Sequence, residues 1–236
     1  MCQNYRIRQI LITIPKKCLR SDVDIDIDLP KYLFKKPYSN LITIVRPEKD
    51  YGPVMKYIGG YKHLTDNSLV FVCDDDQEYR SDLVSTLVNR YNRIEYNKEN
   101  TVICTRRYRF ISTDTVWGVY SLLLPFRLIK KIRCNILRSS RYIKQCCQMV
   151  DDNWVSIILK HLNVKIVNMN MDKSDIFYKP EKVSSDSLHQ NTDRISKIIK
   201  CTHAIDQSNI YPIITGIVFI IFVLAVIVNY YYTQYL

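Results

Sequence analysis

Short apolar runs alternate with polar, turn-forming stretches along most of the chain. Arg8 to Ile14, closed by Pro15, predicts a first strand, and Leu41 to Val45, closed by Pro47, a second. Val54 to Tyr61, entered through Pro53, predicts a helix. Ser68-Leu-Val-Phe-Val-Cys73 is short, β-branched and aromatic between turn-like neighbours, as a buried strand would be. Leu83 to Tyr91 carries apolar residues at helical spacing behind Ser81 or Asp82 as cap, and Thr101 to Thr105 predicts a further strand. Trp154, Val155, Ile157, Ile158 and Leu162 suit a helix opened by Asp151 and Asp152, carboxylates that a helix N-terminus favours. Strands separated by helices imply an α/β domain around a mainly parallel sheet, with its ligand crevice at the C-terminal ends of the strands.

The pattern changes near the C-terminus. No charged residue falls between Ile210 and Val228, and this run is long enough for a spanning helix of roughly 20 residues. Tyr211 and Tyr230-Tyr231-Tyr232 flank it as an interfacial aromatic belt would. The expected division is a soluble domain over 1–203, a juxtamembrane linker over 204–209, a transmembrane helix over 210–229 and a short tail over 230–236. Arg194, Lys197 and Lys200 precede the span and no charge follows it, so the positive-inside tendency places the large domain in the cytosol. The N-terminal segment has no signal-peptide core, since Ile10 to Ile14 is too short before Pro15 and Lys16-Lys17. The expectation is a single-pass, tail-anchored membrane protein.

The formal net charge of +11 lies entirely before the span and suits a nucleotide, an anionic membrane face or a polyanion without choosing among them. Eight cysteines form no Cys-x-x-Cys pair and have no histidine at zinc-ligand spacing, so they read as reduced, mostly buried thiols. No Asn-x-Ser/Thr acceptor occurs. The soluble part has glycine only at 52, 59, 60 and 118, which excludes a Gly-x-Gly-x-x-Gly dinucleotide turn and a P-loop. A Gly-x-Ser-x-Gly elbow and any recognisable nucleic-acid reader are also missing, and no nucleic-acid partner is expected.

The strongest chemical signal is Asp74-Asp75-Asp76, directly after the apolar run that ends at Cys73. Carboxylates at the C-terminal end of a strand, just before a helix, are placed to hold a hard divalent cation, Mg²⁺ or Mn²⁺, on a substrate diphosphate. A solvated acidic loop is the commoner fate of such a triplet taken alone.

Several segments together resemble the small GT-A glycosyltransferases of the nucleotide-diphospho-sugar transferase superfamily. They are Leu11-Ile-Thr-Ile-Pro15, Asp50-Tyr-Gly-Pro-Val-Met-Lys-Tyr-Ile58, Val72-Cys-Asp-Asp-Asp-Gln-Glu-Tyr79 with Asp82-Leu-Val84, and Asp151-Asp-Asn-Trp-Val-Ser156. His189-Gln-Asn191 with Arg194 and Cys201 is a weaker match. The resemblance covers nearly all of 1–203 and implies a GT-A, Rossmann-like domain using a nucleotide-diphospho-sugar and Mn²⁺ or Mg²⁺. It implies that Asp74 and Asp76 hold the metal as an Asp-x-Asp pair, with Asp75 towards the ribose or the metal. Thr13 and Pro15 would line the nucleotide, Lys56 would meet phosphate or sugar, and Trp117 and Gly118 would lie under the donor sugar. Asp151 and Asp152 match the acidic pair near the acceptor, with Asp152 as the expected general base. For Trp154 a plain core role is the commoner outcome.

The segment before Trp117 departs from the family, with Ser112-Thr113-Asp114 where glycine is expected. Leu122-Leu-Leu-Pro125 then leads into the basic run Arg127 to Arg141, a solvated helix face or a contact for a membrane or acidic acceptor. Two function classes follow. One is a membrane-anchored, metal-dependent glycosyltransferase acting on a glycan, protein or lipid acceptor. The other is a catalytically inactive protein of the same fold, a viral envelope or glycosaminoglycan-binding adhesin, as in the poxvirus envelope adhesin that is similar in architecture. High Ile, Asn, Lys and Tyr usage points to an AT-rich genome such as that of a large DNA virus.

Overall fold

The computed structural model describes residues 3–17, 31–36, 38–110, 113–116, 121–139 and 150–178, with 196, 199–201 and 203 beyond them. Among the described residues there are eight strands: β1 (Ile10–Thr13), β2 (Ile42–Val45), β3 (Leu69–Val72), β4 (Thr101–Cys104), β5 (Arg107–Phe110), β6 (Thr113–Val116), β7 (Leu122–Pro125) and β8 (Lys165–Asn168). The α-helices are α1 (Met55–Ile58), α2 (Leu83–Asn92), α3 (Phe126–Ser139), α4 (Asp151–His161) and α5 (Lys173–Ile176).

The central sheet has the order β3-β7-β4-β8 and is mixed. β7 runs antiparallel to both neighbours, with Val72 opposite Leu122 on one side and Cys104 opposite Leu122 on the other, while β8 lies parallel to β4. The expectation of a mainly parallel sheet is corrected here. β3, β4 and β8 share a direction, but β7 is inserted against them between β3 and β4. Its apolar run Leu122-Leu-Leu is buried on both faces, and such a run carries no sign of its direction. β1 and β2 form a separate parallel pair, and β5 and β6 an antiparallel hairpin that was not expected.

Period-two alternation divides the core between the two faces of the sheet. Val70, Val72, Val102, Cys104, Leu122, Leu124 and Ile166 face one core, shared with α1, α3 and α4. Leu69, Phe71, Ile103, Leu123 and Val167 face the other, filled by Leu83, Val84, Leu87, Val88 and Tyr91 of α2 and by Ile176 of α5. Helices therefore cover both faces, the α/β layering expected from the element order.

Two helices differ from expectation in detail. The predicted Val54 to Tyr61 helix is helical only as the single turn α1, with 3-10 turns at Gly52–Val54 and Tyr61–His63 on either side. Gly59 and Gly60 end it because the chain passes very close to β1. A Cβ on Gly59 would lie 2.1 Å from Thr13 Cγ2, and one on Gly60 2.5 Å from Leu11 Cδ1. The basic run forms α3, which buries Phe126, Leu128, Ile129, Ile132 and Ile136 and exposes Arg127, Lys130 and Arg138, as a solvated helix face does.

Cys73, Cys104 and Cys134 are free thiols. Cys201 is disulfide-bonded, which corrects the expectation of a reduced thiol at that position. No helix among the described residues is long and apolar enough to cross a membrane. The expected linker, the 210–229 span and the tail all lie outside the described residues.

Candidate functional site

The end of the sheet where β3, β4 and β8 finish and β7 begins carries the acidic corner. β3 stops at Val72, and Asp74, Asp75 and Asp76 follow it without regular structure. The backbone N–H of Asp74 donates to the Tyr79 hydroxyl at 3.0 Å, which pins the corner. Asp75 and Asp76 are exposed, and Asp76 accepts from Gln77 Nε2 at 3.3 Å. Asp74 turns inward.

Lys56 reaches the same point from α1. The Asp50 carboxylate accepts from Gly52 N–H at 2.7 Å and stabilises the turn that starts the helical segment, where Gly52 takes a φ of 77°. Pro53 fixes the next φ, and Gly59 and Gly60 seat the turn on β1 through Thr13 and Leu11. The Lys56 ammonium then lies 2.7 Å from Asp74 Oδ1, 2.9 Å from Asp151 Oδ2 and 3.7 Å from Asp152 Oδ1.

Asp151 and Asp152 open α4, held in place by Trp154, which is fully buried three residues on. Val150 occupies the N-cap position and no side chain caps this helix. Both aspartates lie in the first turn, where the helix dipole favours their charge.

One cation among three carboxylates leaves an excess of negative charge in a site whose side chains are only 12–28% exposed. Burial alone would lower the Lys56 proton affinity, but Asp151, Asp152 and Asp74 together hold the ammonium well above its ordinary value of 10.5. Burial raises the Asp74 carboxyl above 3.8; the charge and hydrogen bond of Lys56 pull it back only in part, and weaker repulsion from Asp151 and Asp76 adds to the rise. Asp74 is thus a carboxylate that gains less from its lysine than it loses by sitting there.

Tyr57 stands beside this cluster and is 2% exposed. Its hydroxyl is raised far above the ordinary value by burial and further by Asp152, Asp151 and Asp74, so it remains a protonated donor. It has no hydrogen-bond partner among the described residues. Ser121 is a second unanticipated feature. It is fully buried at the acidic end of the sheet, one residue before the Val72–Leu122 pair, with a φ of 77° and no partner for its hydroxyl among the described residues. A serine in the left-handed region is strained. Sequence reading missed Tyr57 because it looks like an apolar helix residue, and Ser121 because only glycine, asparagine or aspartate announce a positive φ.

Of the expected site residues, Lys56, Asp74, Asp151 and Asp152 are brought together. Thr13 lies against Gly59, one turn of chain from Lys56, and Pro15 follows β1 and is half-buried. Asp75 and Asp76 remain outside the ion cluster, facing solvent. Trp117 and Gly118 lie outside the described residues.

Among the described residues, no three carboxylate, imidazole or thiol groups are disposed to hold a metal ion by themselves. Mg²⁺ and Mn²⁺ sites shared with a substrate use one or two carboxylates together with phosphate oxygens, and Asp74 could supply one such carboxylate. Asp74 Oδ1 is taken by Lys56, while its second oxygen makes no hydrogen bond among the described residues. The chain matches no protein-family model, no curated protein and no solved structure.

Proposed function

We propose that this protein is a membrane-anchored glycosyltransferase that moves a sugar from a nucleotide-diphospho-sugar to an acceptor hydroxyl with the help of Mn²⁺ or Mg²⁺. The observation that carries the reading is the convergence of Asp74, Asp151, Asp152 and Lys56 from three separate elements at the C-terminal end of β3. Open α/β sheets bind ligands at that end. The bound metal would neutralise the diphosphate as it leaves.

Each residue then has a task set by its position. Asp74, with the exposed Asp76, presents carboxylate oxygens where a diphosphate would otherwise be repelled. Lys56 supplies a positive charge beside them. Asp152, at the start of α4, is the general base that removes the proton from the acceptor hydroxyl as the new bond forms. The anchor is the 210–229 segment, with the domain on the cytosolic side.

Donor affinity should depend on the metal through Asp74 and Asp76. Calorimetric titration with nucleoside diphosphates should show binding with Mn²⁺, none with EDTA, and none in the Asp74→Asn/Asp76→Asn double variant. Equal affinity with EDTA and with Mn²⁺ refutes the metal assignment.

One observation favours the second reading, an adhesin that keeps the fold without turnover. A disulfide at Cys201 suits an oxidising compartment better than the cytosol. Retention on heparin at physiological salt, together with no transfer and no donor hydrolysis over an acceptor panel, would decide for it.

A further inference from the structure

The arrangement around Lys56 carries a consequence for how the site takes its cation. Asp74, Asp151 and Asp152 approach one point, and that point is occupied by an ammonium, not left open. We propose that Lys56 is an exchangeable internal cation: it holds Asp74 in the ligand-free protein and yields it to an incoming Mg²⁺ or Mn²⁺, withdrawing onto Asp151 and Asp152. This rests on the reading of Asp74 as a metal ligand.

Three observations support an exchange over a permanent ion pair. The cluster is short of positive charge, since one ammonium faces three carboxylates with Asp76 close by, so a further cation is attracted and not merely tolerated. Lys56 has a second anchor: Asp151 lies 2.9 Å away and Asp152 3.7 Å, both on α4 and independent of Asp74 on the β3 corner. Its four-carbon stem can move the ammonium between these groups without moving α1. Finally, the Tyr57 hydroxyl, 2% exposed and without a partner among the described residues, faces the same charges. Buried hydroxyls are nearly always bonded, so this one marks a site that a ligand oxygen completes.

A divalent cation and the ammonium cannot both sit on Asp74 without strong repulsion. Lys56 therefore competes with the metal, and the competition makes the empty site neutral enough to persist while holding metal affinity down until a diphosphate contributes its own oxygens. Removing the lysine charge should tighten binding of the metal alone.

The test is direct Mn²⁺ binding to the full-length chain, read from the electron paramagnetic resonance of free Mn²⁺, for the wild type, Lys56→Gln and Asp74→Asn. The expected result is binding about tenfold or more tighter in Lys56→Gln and lost in Asp74→Asn. A folded Lys56→Gln, checked by circular dichroism, that binds Mn²⁺ no tighter than wild type overturns the exchange. If Asp74→Asn binds Mn²⁺ as the wild type does, the metal reading of the site falls together with it. Should Lys56→Gln not fold, the wild type decides: with ¹³C-labelled lysine, the Lys56 ε-methylene signal should shift as Mg²⁺ saturates the site. An unmoved signal at saturation overturns the proposal.

Discussion

Replacing Lys56 by methionine should cost about 3 kcal/mol of folding stability at pH 7.5 and about 1 kcal/mol at pH 5. The substitution keeps the length and the apolar stem but leaves Asp74, Asp151 and Asp152 facing one another. Removing one partner of a buried ion cluster usually costs 3–5 kcal/mol, and with side chains 12–28% exposed the lower end applies. Protonation sets a ceiling on the loss. A carboxyl with the ordinary value of 3.8 can be neutralised at pH 7.5 for about 5 kcal/mol, and at pH 5 for about 1.6 kcal/mol. In the variant the folded carboxyls hold protons more tightly than the unfolded ones, so the folded state binds more protons. Stability must then fall as pH rises through the window above 3.8. Asp74 already gives the wild type a weaker dependence of the same sign, because its carboxyl is raised on folding. Urea denaturation of the full-length chain at both pH values measures the difference. A loss below about 1 kcal/mol at pH 7.5, or an equal loss at both pH values, would show that the cluster is hydrated well enough for Lys56 not to matter.

Asp152→Asn should lower single-turnover transfer by roughly 10²-fold or more while donor affinity is kept and stability changes by about 1 kcal/mol; a rate within threefold of wild type removes Asp152 as the base. Gly59→Ala should destabilise by about 2 kcal/mol in urea, because the new methyl would lie 2.1 Å from Thr13 Cγ2 and the α1–β1 contact must open. Ser121→Gly should be neutral or stabilising by up to about 1 kcal/mol, since glycine carries no penalty at a φ of 77°; a clear drop in melting temperature would mean that the hydroxyl is bonded in solution.

The parts of the fold legible in the sequence are those that local pattern determines. Leu69, Phe71 and Val70, Val72 do face opposite cores, and the strand and helix around Asp74 fall within a residue or two of expectation. Strand direction was not legible. Leu122-Leu-Leu-Pro125 looks the same read parallel or antiparallel, and only its partners Val72 and Cys104 settle that it runs against them. The length of α1 was also misjudged. Apolar periodicity continues through Gly59 and Gly60, but a Cβ-free backbone there serves close packing against β1 and not helix continuation. In the site, the acidic corner could be anticipated from three adjacent aspartates. Its pairing could not, since Lys56 is separated from Asp74 by 18 residues and from Asp151 by far more, and nothing local says that one ammonium serves both.

The way these charges are gathered bears on the choice between enzyme and adhesin. A protein that binds polyanionic glycans needs accessible cations, and exposed basic residues on α3, such as Arg127 and Arg138, would serve without any help from β3 or α4. It has no use for three carboxylates drawn around one lysine in a half-buried corner. That corner costs stability, because Asp74 is ionised less readily there than in water, and it comes with a buried Tyr57 hydroxyl that has no partner among the described residues and a strained serine at Ser121. A perturbed carboxylate, unbonded polar groups and backbone strain collected at one end of a sheet are features that chemistry at a site uses and that packing alone would tend to remove. The combination supports the transferase over the adhesin, and a donor-binding site with these charges intact but no turnover would be the finding hardest to reconcile with it.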